Sequence, residues 1–324
     1  MRAISRTAQP LSRTAHALLL TLAVLLGILV GARAAAARPE DTPAPPGSVV
    51  DLGRASLHLI QQGQGAPVVL LHGAPGFAEE LRGGTLEQLA QHHRVIALDR
   101  PGYGYSGELT AGTGDMPDQA QLIHQAITQL GLDRPIIVGH SWSGALALHY
   151  AQRYPQETRG IVHVAGVVFL TPAVVDAVQR SRNVPDWVNL IATLVPTARA
   201  SGVDQIAARA AAPAAVDPAY LAAARAAWAR PAAQRALARD MQSVPAGLQA
   251  LDLPAIGQHV PVAIIVGAED RVMSPGEQGQ RLATQLASNP SAHARLWEAA
   301  GTGHNVHQAR PDLLEAALTW LAGQ

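Results

Sequence analysis

The chain has 324 residues, of which 48% are hydrophobic and 15% are charged, so its composition supports a large folded core and excludes wholesale disorder. Its 24 Lys and Arg residues balance its 24 Asp and Glu residues, and this zero formal charge argues against nucleic acid as the main partner. The chain contains no cysteine, which excludes disulfides, thiol nucleophiles and thiolate metal ligands.

The first 37 residues have the layout of an export signal. Basic residues come first, at Arg2, Arg6 and Arg13. An uncharged apolar run from Ala17 to Ala32 follows, and small residues come after it. The pattern predicts a signal peptide in residues 1–37 and export of the remaining chain, to a periplasm. A retained membrane anchor is the alternative, because a spanning helix needs about 20 apolar residues and this run is only slightly shorter.

Residues 38–47, RPEDTPAPPG, are typical of a proline-rich linker without regular structure. Beyond the linker, residues 48–61 predict a hairpin that turns at Gly53. Further strand-like segments occur at 67–73, 94–100, 135–139, 159–169, 260–270 and 291–299. Helical spacing occurs between them, at 78–92, 118–130, 142–154 and 310–323. This alternation predicts an α/β fold with a mostly parallel central sheet and helices on both faces.

The pattern changes between residues 170 and 253, where the chain is rich in alanine and arginine. Prolines divide this region, at positions 172, 185, 196, 213, 218, 231 and 245. Since proline interrupts helices, we interpret residues 170–253 as short helices forming a cap over the carboxyl edge of the sheet. Residues 48–169 and 254–324 then form the core domain.

Four polar segments follow the ends of predicted strands: HGAPG, GHSWSG, GAEDRVMSP and GTGHNVH. In open α/β sheets, ligands bind beyond the carboxyl ends of the strands, so the topology brings all four segments to one edge. Ser141 lies where the third of the parallel strands turns into a helix. It is either a nucleophile on a sharp turn or an ordinary helix N-cap, a position that serine favours.

With these segments the chain resembles the α/β-hydrolase family, of the serine-nucleophile type, over roughly residues 50–322. Ser141 in GHSWS, Asp270 in GAEDRVMSP and His304 in GTGH follow one another in the order that the family has. The segment DRPGYGYSG, residues 99–107, is also similar to a loop of the family. This chain departs from the family pattern G-x-S-x-G, because Ser143 replaces the second glycine and Gly144 follows it. We expect this change to loosen the turn slightly.

The resemblance implies a role for each of these residues in acyl transfer. Ser141 would be the nucleophile and His304 the base that accepts its proton and later protonates the leaving group. Asp270 would fix the histidine tautomer and stabilise the imidazolium. Two backbone N–H groups, those of Ala74 and Trp142, would form the oxyanion hole.

Several neighbouring residues have alternative interpretations. Glu269 is the rival of Asp270 for the acid. The pair His304 and His307 could be metal ligands, but no third ligand has convincing spacing, so we predict no metal and no cofactor. His72 and His140 are expected to support the loops through hydrogen bonds. Two cap tryptophans either contact the substrate or fill the cap core: Trp187 and Trp228.

Serine at position 141 argues against dehalogenase and epoxide hydrolase chemistry, because members of this fold with those activities form an ester on aspartate. The resemblance therefore implies hydrolysis of carboxylic esters with small or medium apolar acyl groups. The same residues could instead serve C–C bond, lactone or peptide N-terminal hydrolysis, or cofactor-free perhydrolysis. A non-catalytic module tethered to a membrane is the alternative from another class. The sequence does not predict an oligomeric state.

Overall fold

The computed structural model describes residues 46–82, 84–182 and 196–324. The predicted signal peptide or anchor in residues 1–37, residues 38–45 of the predicted linker, and Trp187 lie outside the described residues, so the inferences about them stay predictions. Across the ranges that are described, no helix combines the length and apolar character needed to cross a membrane.

A single eight-stranded sheet forms the centre of the fold, with the order β1-β2-β4-β3-β5-β6-β7-β8. The strands are Ser48–Asp51 (β1), Ser56–Gln62 (β2), Ala66–Leu71 (β3), His93–Leu98 (β4), Ile136–His140 (β5), Gly160–Val164 (β6), Val262–Gly267 (β7) and Ala294–Ala299 (β8). β1 pairs antiparallel with β2, and β2 pairs antiparallel with β4. All the other pairs are parallel. The predicted α/β fold with a mostly parallel sheet is confirmed.

Helices follow most of the strands. Their bounds are Thr85–Leu89 (α1), Met116–Gln129 (α2), Trp142–Arg153 (α3), Pro172–Arg182 (α4), Pro196–Ala211 (α5), Pro218–Trp228 (α6), Pro231–Gln249 (α7), Leu253–His259 (α8), Arg281–Ala287 (α9), Val306–Ala309 (α10) and Pro311–Ala322 (α11). Four of them begin with one of the prolines that the sequence analysis noted, in α4 to α7. Proline suits this position because the first helical N–H has no partner within the helix.

Two hydrophobic cores cover the two faces of the sheet. Successive residues of β5 alternate between them: Ile137 packs with α2 and α3, whereas Ile136 and Val138 pack with α1 and α11. This alternation follows from the two-residue period of a strand. Because both faces are covered, the parallel strands are continuous apolar runs in the sequence, as expected for buried parallel sheets.

The structure differs from the predicted elements at several places, and three of the differences have a clear physical reason. The segment predicted as one helix over 78–92 contains a short 3-10 turn, Ala78–Leu81, and the separate helix α1. Strand β6 ends at Val164 instead of residue 169, because Ala165 has a φ of 44° and leaves the strand conformation. Helix α7 continues through Pro245, which was expected to break it, because side chains on both sides of the proline are buried.

Helices α4 to α7, hereafter the insert helices, lie between β6 and β7, within the region predicted as the cap. They contact the loops at the carboxyl edge of the sheet. The carbonyl of Ala210, in α5, accepts a hydrogen bond of 3.1 Å from the amide of Asn305. Trp228, in α6, is 3% exposed and packs in a cluster with Phe77, which follows the HGAPG segment. The insert helices therefore pack directly on the segments that carry the candidate residues.

Candidate active site

Ser141 lies on a sharp turn between β5 and α3. Its backbone has φ 55° and ψ −120°, a left-handed conformation that is rare for a residue with a side chain. Its carbonyl holds the turn by accepting hydrogen bonds from the amides of Gly144, at 2.9 Å, and Val167, at 3.1 Å. Although Ser141 occupies the N-cap position of α3, its hydroxyl makes no capping hydrogen bond. The N-cap interpretation therefore does not explain this serine.

Small residues allow the turn to be this tight. A side chain on Gly139 would collide with the carbonyl of Ser143, and one on Gly144 would lie 2.7 Å from the Cα of Gly166. Ser143, which replaces the second glycine of the family pattern, is fully buried. Its hydroxyl donates a 2.5 Å hydrogen bond to the carbonyl of His72. The extra side chain thus ties the start of α3 to the HGAPG segment, a consequence that differs from the loosening we expected.

Ser141, His304 and Asp270 form one hydrogen-bonded chain. The Nε2 atom of His304 lies 2.9 Å from the Oγ atom of Ser141, and its Nδ1 atom lies 2.8 Å from Oδ2 of Asp270. The other carboxylate oxygen of Asp270 accepts hydrogen bonds from the amides of Val272, at 2.7 Å, and Met273, at 2.9 Å. With the carboxylate fixed, Nδ1–H of the imidazole donates to it, and the lone pair on Nε2 faces the serine hydroxyl.

Glu269, the rival carboxylate, lies apart from this chain. Its side chain is exposed and accepts a hydrogen bond of 3.1 Å from the amide of Gly301. The side chain of Asp270, by contrast, is only 2% exposed, and that of His304 is 6% exposed. The geometry therefore favours Asp270 as the partner of the imidazole.

The HGAPG segment lies against the side chain of Ser141. A Cβ atom added to Gly73 would lie 3.0 Å from the Cβ atom of Ser141 and 3.5 Å from its Oγ atom. Within the described residues, the next amide along this segment, that of Ala74, has no hydrogen-bond partner, and neither has the amide of Trp142. Both N–H groups predicted for the oxyanion hole are thus free to donate beside the serine.

Arg100 fixes the HGAPG segment through hydrogen bonds to its backbone. This side chain is fully buried and donates to the carbonyl of Gly73, at 2.7 Å, and to that of His72, at 3.2 Å. Its own amide donates to Nε2 of His72, at 3.0 Å. Burial, together with the nearby guanidinium charge, lowers the pKa of His72 to about 3, so this imidazole is neutral. His72 thus supports the loop, the role expected for it.

Asp240, in helix α7, provides the counter-charge of Arg100. Its Oδ2 atom accepts hydrogen bonds from Nη1 of Arg100 and from the hydroxyl of Tyr103, both at 2.7 Å. Its Oδ1 atom accepts a hydrogen bond of 2.9 Å from Gln119, and its carbonyl accepts one of 3.2 Å from the indole N–H of Trp142. Asp240 therefore contacts Trp142 directly and the HGAPG segment through Arg100, so it is linked to both segments that carry the free amides.

Replacing Asp240 by alanine should destabilise the protein strongly. The change leaves the guanidinium of Arg100 buried without its counter-charge, which typically costs 3–5 kcal/mol. We expect urea unfolding to show a loss of about this size in the free energy of unfolding. Asp204→Ala is the matched control, because its pair with Arg225 joins two other insert helices but has side chains 37% and 46% exposed. Equal losses in the two variants would contradict this explanation.

Two other histidines adjoin the hydrogen-bonded chain. His140 precedes Ser141, and its Nε2–H donates a 3.1 Å hydrogen bond to the carbonyl of His304, so it supports the histidine loop as expected. His307, considered above as a metal ligand together with His304, is buried, at 3% exposure. No role for Arg100 or Asp240 was predicted from the sequence. The only signal was DRPG, the segment that contains the arginine.

A parallel sheet whose carboxyl edge holds a strained serine beside an imidazole and a carboxylate is the architecture of a hydrolytic enzyme. The comparison with known families agrees, since the model of the alpha/beta hydrolase fold matches residues 66–311. The chain belongs to the alpha/beta hydrolase family.

Similar proteins carry different hydrolytic activities. Haloalkane dehalogenase 2 of Mycobacterium tuberculosis is 32% identical over 113 residues, which are 35% of this chain and 39% of that protein. The 2-hydroxymuconate semialdehyde hydrolase of Pseudomonas putida is 34% identical over 134 residues, or 40% and 46% of the two chains. The solved esterase from Exiguobacterium antarcticum matches with a TM-score of 0.65 and 18% identity, over 85% of this chain and 99% of that one. The matches to the two curated relatives span less than half of their length.

Proposed function

We propose that this protein is a serine hydrolase that cleaves carboxylic esters of small apolar acids through an acyl-enzyme on Ser141. The observation that carries the proposal is the chain of two hydrogen bonds, 2.9 Å and 2.8 Å, that joins Ser141 to His304 and His304 to Asp270. A serine hydroxyl is a weak nucleophile until an adjacent base accepts its proton, and this arrangement provides that base.

In the first half of the reaction, Oγ of Ser141 attacks the ester carbonyl while Nε2 of His304 accepts the hydroxyl proton. Asp270 stabilises the imidazolium that forms, because its carboxylate already accepts Nδ1–H. The negative charge that develops on the carbonyl oxygen is stabilised by the free amides of Ala74 and Trp142. Loss of one such donor typically costs 10²–10³ in kcat. His304 then protonates the departing alkoxide, which leaves the acyl group on Ser141.

In the second half, a water molecule attacks the acyl-enzyme. His304 now accepts a proton from the water, and the same two amides again stabilise the oxyanion. Collapse of the intermediate releases the acid and returns the proton to Oγ of Ser141. The Arg100–Asp240 pair contributes by holding the Gly73 carbonyl, and hence the neighbouring amide of Ala74, in place.

The same residues could cleave a C–C bond, a lactone or a peptide N-terminus, or form a peracid. The similarity to 2-hydroxymuconate semialdehyde hydrolase favours C–C hydrolysis as the second candidate. We do not propose dehalogenation, despite the similarity to haloalkane dehalogenase 2. That reaction uses an aspartate nucleophile, and this chain has Ser141 at the corresponding position. We prefer an ester as the substrate because its hydrolysis needs only the two half-reactions described above.

A fluorophosphonate should label the folded protein at one site, Ser141. The reagent reacts with serine only where a base and an oxyanion site activate it, so the expected stoichiometry is about one label per chain. Peptide mass spectrometry after proteolysis identifies the labelled serine. In the same preparation, p-nitrophenyl esters from acetate to decanoate should turn over.

Ser143→Ala is the control for this experiment. The neighbouring serine donates to His72 and not to His304, so labelling should persist in the variant although one buried hydrogen bond, typically about 1 kcal/mol, is lost. A folded protein that resists the reagent would support the non-catalytic module. Labelling of Ser141 without turnover of any ester, combined with hydrolysis of a vinylogous 1,5-diketone, would favour C–C cleavage.

A further inference from the structure

Next to His304, three other ionisable side chains meet inside the protein. They are Glu80, in the 3-10 turn after the HGAPG segment, His140, at the end of β5, and His307, in α10. One potential ligand atom of each lies within 4.8 Å of the other two. The two imidazole rings are 4.2 Å apart between centroids, at an angle of 50°. Residues from three separate segments thus present two nitrogens and one oxygen to a common point.

Most of the nitrogen atoms of this cluster have no hydrogen-bond partner among the described residues. Both ring nitrogens of His307 and the Nδ1 atom of His140 are buried and unpaired. The residues themselves are 3% and 7% exposed, respectively. Buried polar atoms are nearly always paired in folded proteins, because an unpaired one loses its hydration without compensation. A metal ion beside the side chain of Glu80 would take one nitrogen of each ring and so satisfy two of these three atoms.

The tautomer of His140 suits a metal ligand. Its Nε2–H donates to the carbonyl of His304, which leaves the lone pair of Nδ1 directed away from that bond. Metal-binding histidines commonly donate their second ring N–H to a carbonyl or carboxylate in this way.

The backbones that carry the cluster are held together by their own hydrogen bonds. The hydroxyl of Thr85 donates to the carbonyl of His307, at 2.9 Å, and the side-chain amide of Gln308 donates to the carbonyl of Glu80, at 3.0 Å. The turn of Glu80 and helix α10 are therefore fixed relative to each other, so the ligand atoms need only small side-chain rotations to converge.

We propose that Glu80, His140 and His307 bind one Zn²⁺ ion. Two imidazole nitrogens and one carboxylate oxygen are a donor set that zinc accepts, with water in the fourth position. In the sequence, His307 pairs with His304 and no third ligand has convincing spacing. In the structure His304 is engaged by Ser141 and Asp270, and Glu80 and His140 complete the set instead.

The ion has a structural role. It ties together three segments: the turn that follows the HGAPG segment, the end of β5 before the nucleophile, and the helix that follows the histidine loop. Through the hydrogen bond from His140 to the carbonyl of His304, it steadies the loop of the catalytic imidazole without contacting the reacting atoms. Binding to the folded chain alone must therefore raise its thermal stability.

Calorimetric titration of Zn²⁺ into protein without a polyhistidine tag, previously stripped with EDTA, tests the proposal. We expect one Zn²⁺ ion per chain and a rise in Tm of about 5 °C when the ion is in large excess over its Kd. Neither measurement depends on substrate turnover, so the result is independent of the proposed ester hydrolysis. Folded wild-type protein that takes up no Zn²⁺ at micromolar free metal would overturn the proposal.

Two variants assign the ion to this cluster. His307→Gln and Glu80→Gln should each weaken Zn²⁺ binding by about 100-fold or more and abolish the rise in Tm, because each removes a ligand. His124→Gln is the matched control, since His124 forms a surface pair of 2.8 Å with Glu157 and lies outside the cluster. Thermal melting in EDTA shows whether each variant folds. If His307→Gln does not fold, the Zn²⁺ affinity of Glu80→Gln tests the assignment of the ion to this cluster. Wild-type affinity in either folded ligand variant would assign the ion elsewhere and reject this site.

Discussion

Ser141→Ala should reduce kcat/KM for p-nitrophenyl esters by about 10⁶-fold, which corresponds to about 8 kcal/mol of transition-state stabilisation. The change removes the hydroxyl that forms the proposed acyl-enzyme, and no other hydroxyl lies against His304 among the described hydrogen bonds. Residual catalysis would come from the two amides and substrate binding alone. The measurement is steady-state turnover of the purified variant, with mass spectrometry to exclude traces of wild-type protein.

The fold should survive this change. The hydroxyl of Ser141 forms its hydrogen bond with His304 and caps no helix, so alanine removes no contact on which α3 depends. Alanine must also adopt the same left-handed backbone, and the strain there is unchanged. Urea unfolding should therefore give the wild-type midpoint. A folded variant that retained a tenth of the wild-type activity would rule out Ser141 as the nucleophile.

His304→Ala should cause a loss of similar size, because the serine hydroxyl then has no base and the leaving group has no acid. Residues that act as one unit are not additive, so the double variant Ser141→Ala/His304→Ala should be no slower than either single variant. Activity of the three variants on one ester, measured under identical conditions, checks both statements.

His307→Ala serves as the comparison for this prediction. This histidine is also buried and lies three residues further on, but it makes no described hydrogen bond to Ser141 or Asp270. Its loss should reduce activity far less than the loss of His304. The reverse ranking would show that the base has been assigned to the wrong imidazole.

Much of the fold could be predicted because the buried parallel strands are continuous apolar runs. The segments around Ile137 and Ile264 are hydrophobic on both faces, which local sequence reveals directly. Helix continuity was harder to predict. Pro245 normally interrupts a helix, yet α7 continues through it because neighbouring residues such as Val244 and Leu248 are buried against other elements. Such tertiary packing is invisible in a local pattern.

The candidate site also contains residues that could be predicted from the sequence and residues that could not. Ser141, Asp270 and His304 stand in motifs beside strand ends, so their convergence follows from the order of the elements. Arg100 and Asp240 are far apart in the sequence, and no motif marks Asp240 within the predicted cap. Only the three-dimensional packing shows that both charges are removed from water together, at 0% and 1% exposure.

The buried pair of Arg100 and Asp240 also limits how this enzyme could change its substrate range. In a fold of this kind, exchanging the helices above the catalytic edge is an obvious evolutionary route to new specificity. Here the insert helices supply Asp240, the carboxylate that neutralises the buried Arg100. Replacement helices without an equivalent acid would leave the charge of Arg100 buried and unpaired. The insert helices and the core are thus coupled by charge: replacement helices need either an acid at this place or a neutral residue at position 100.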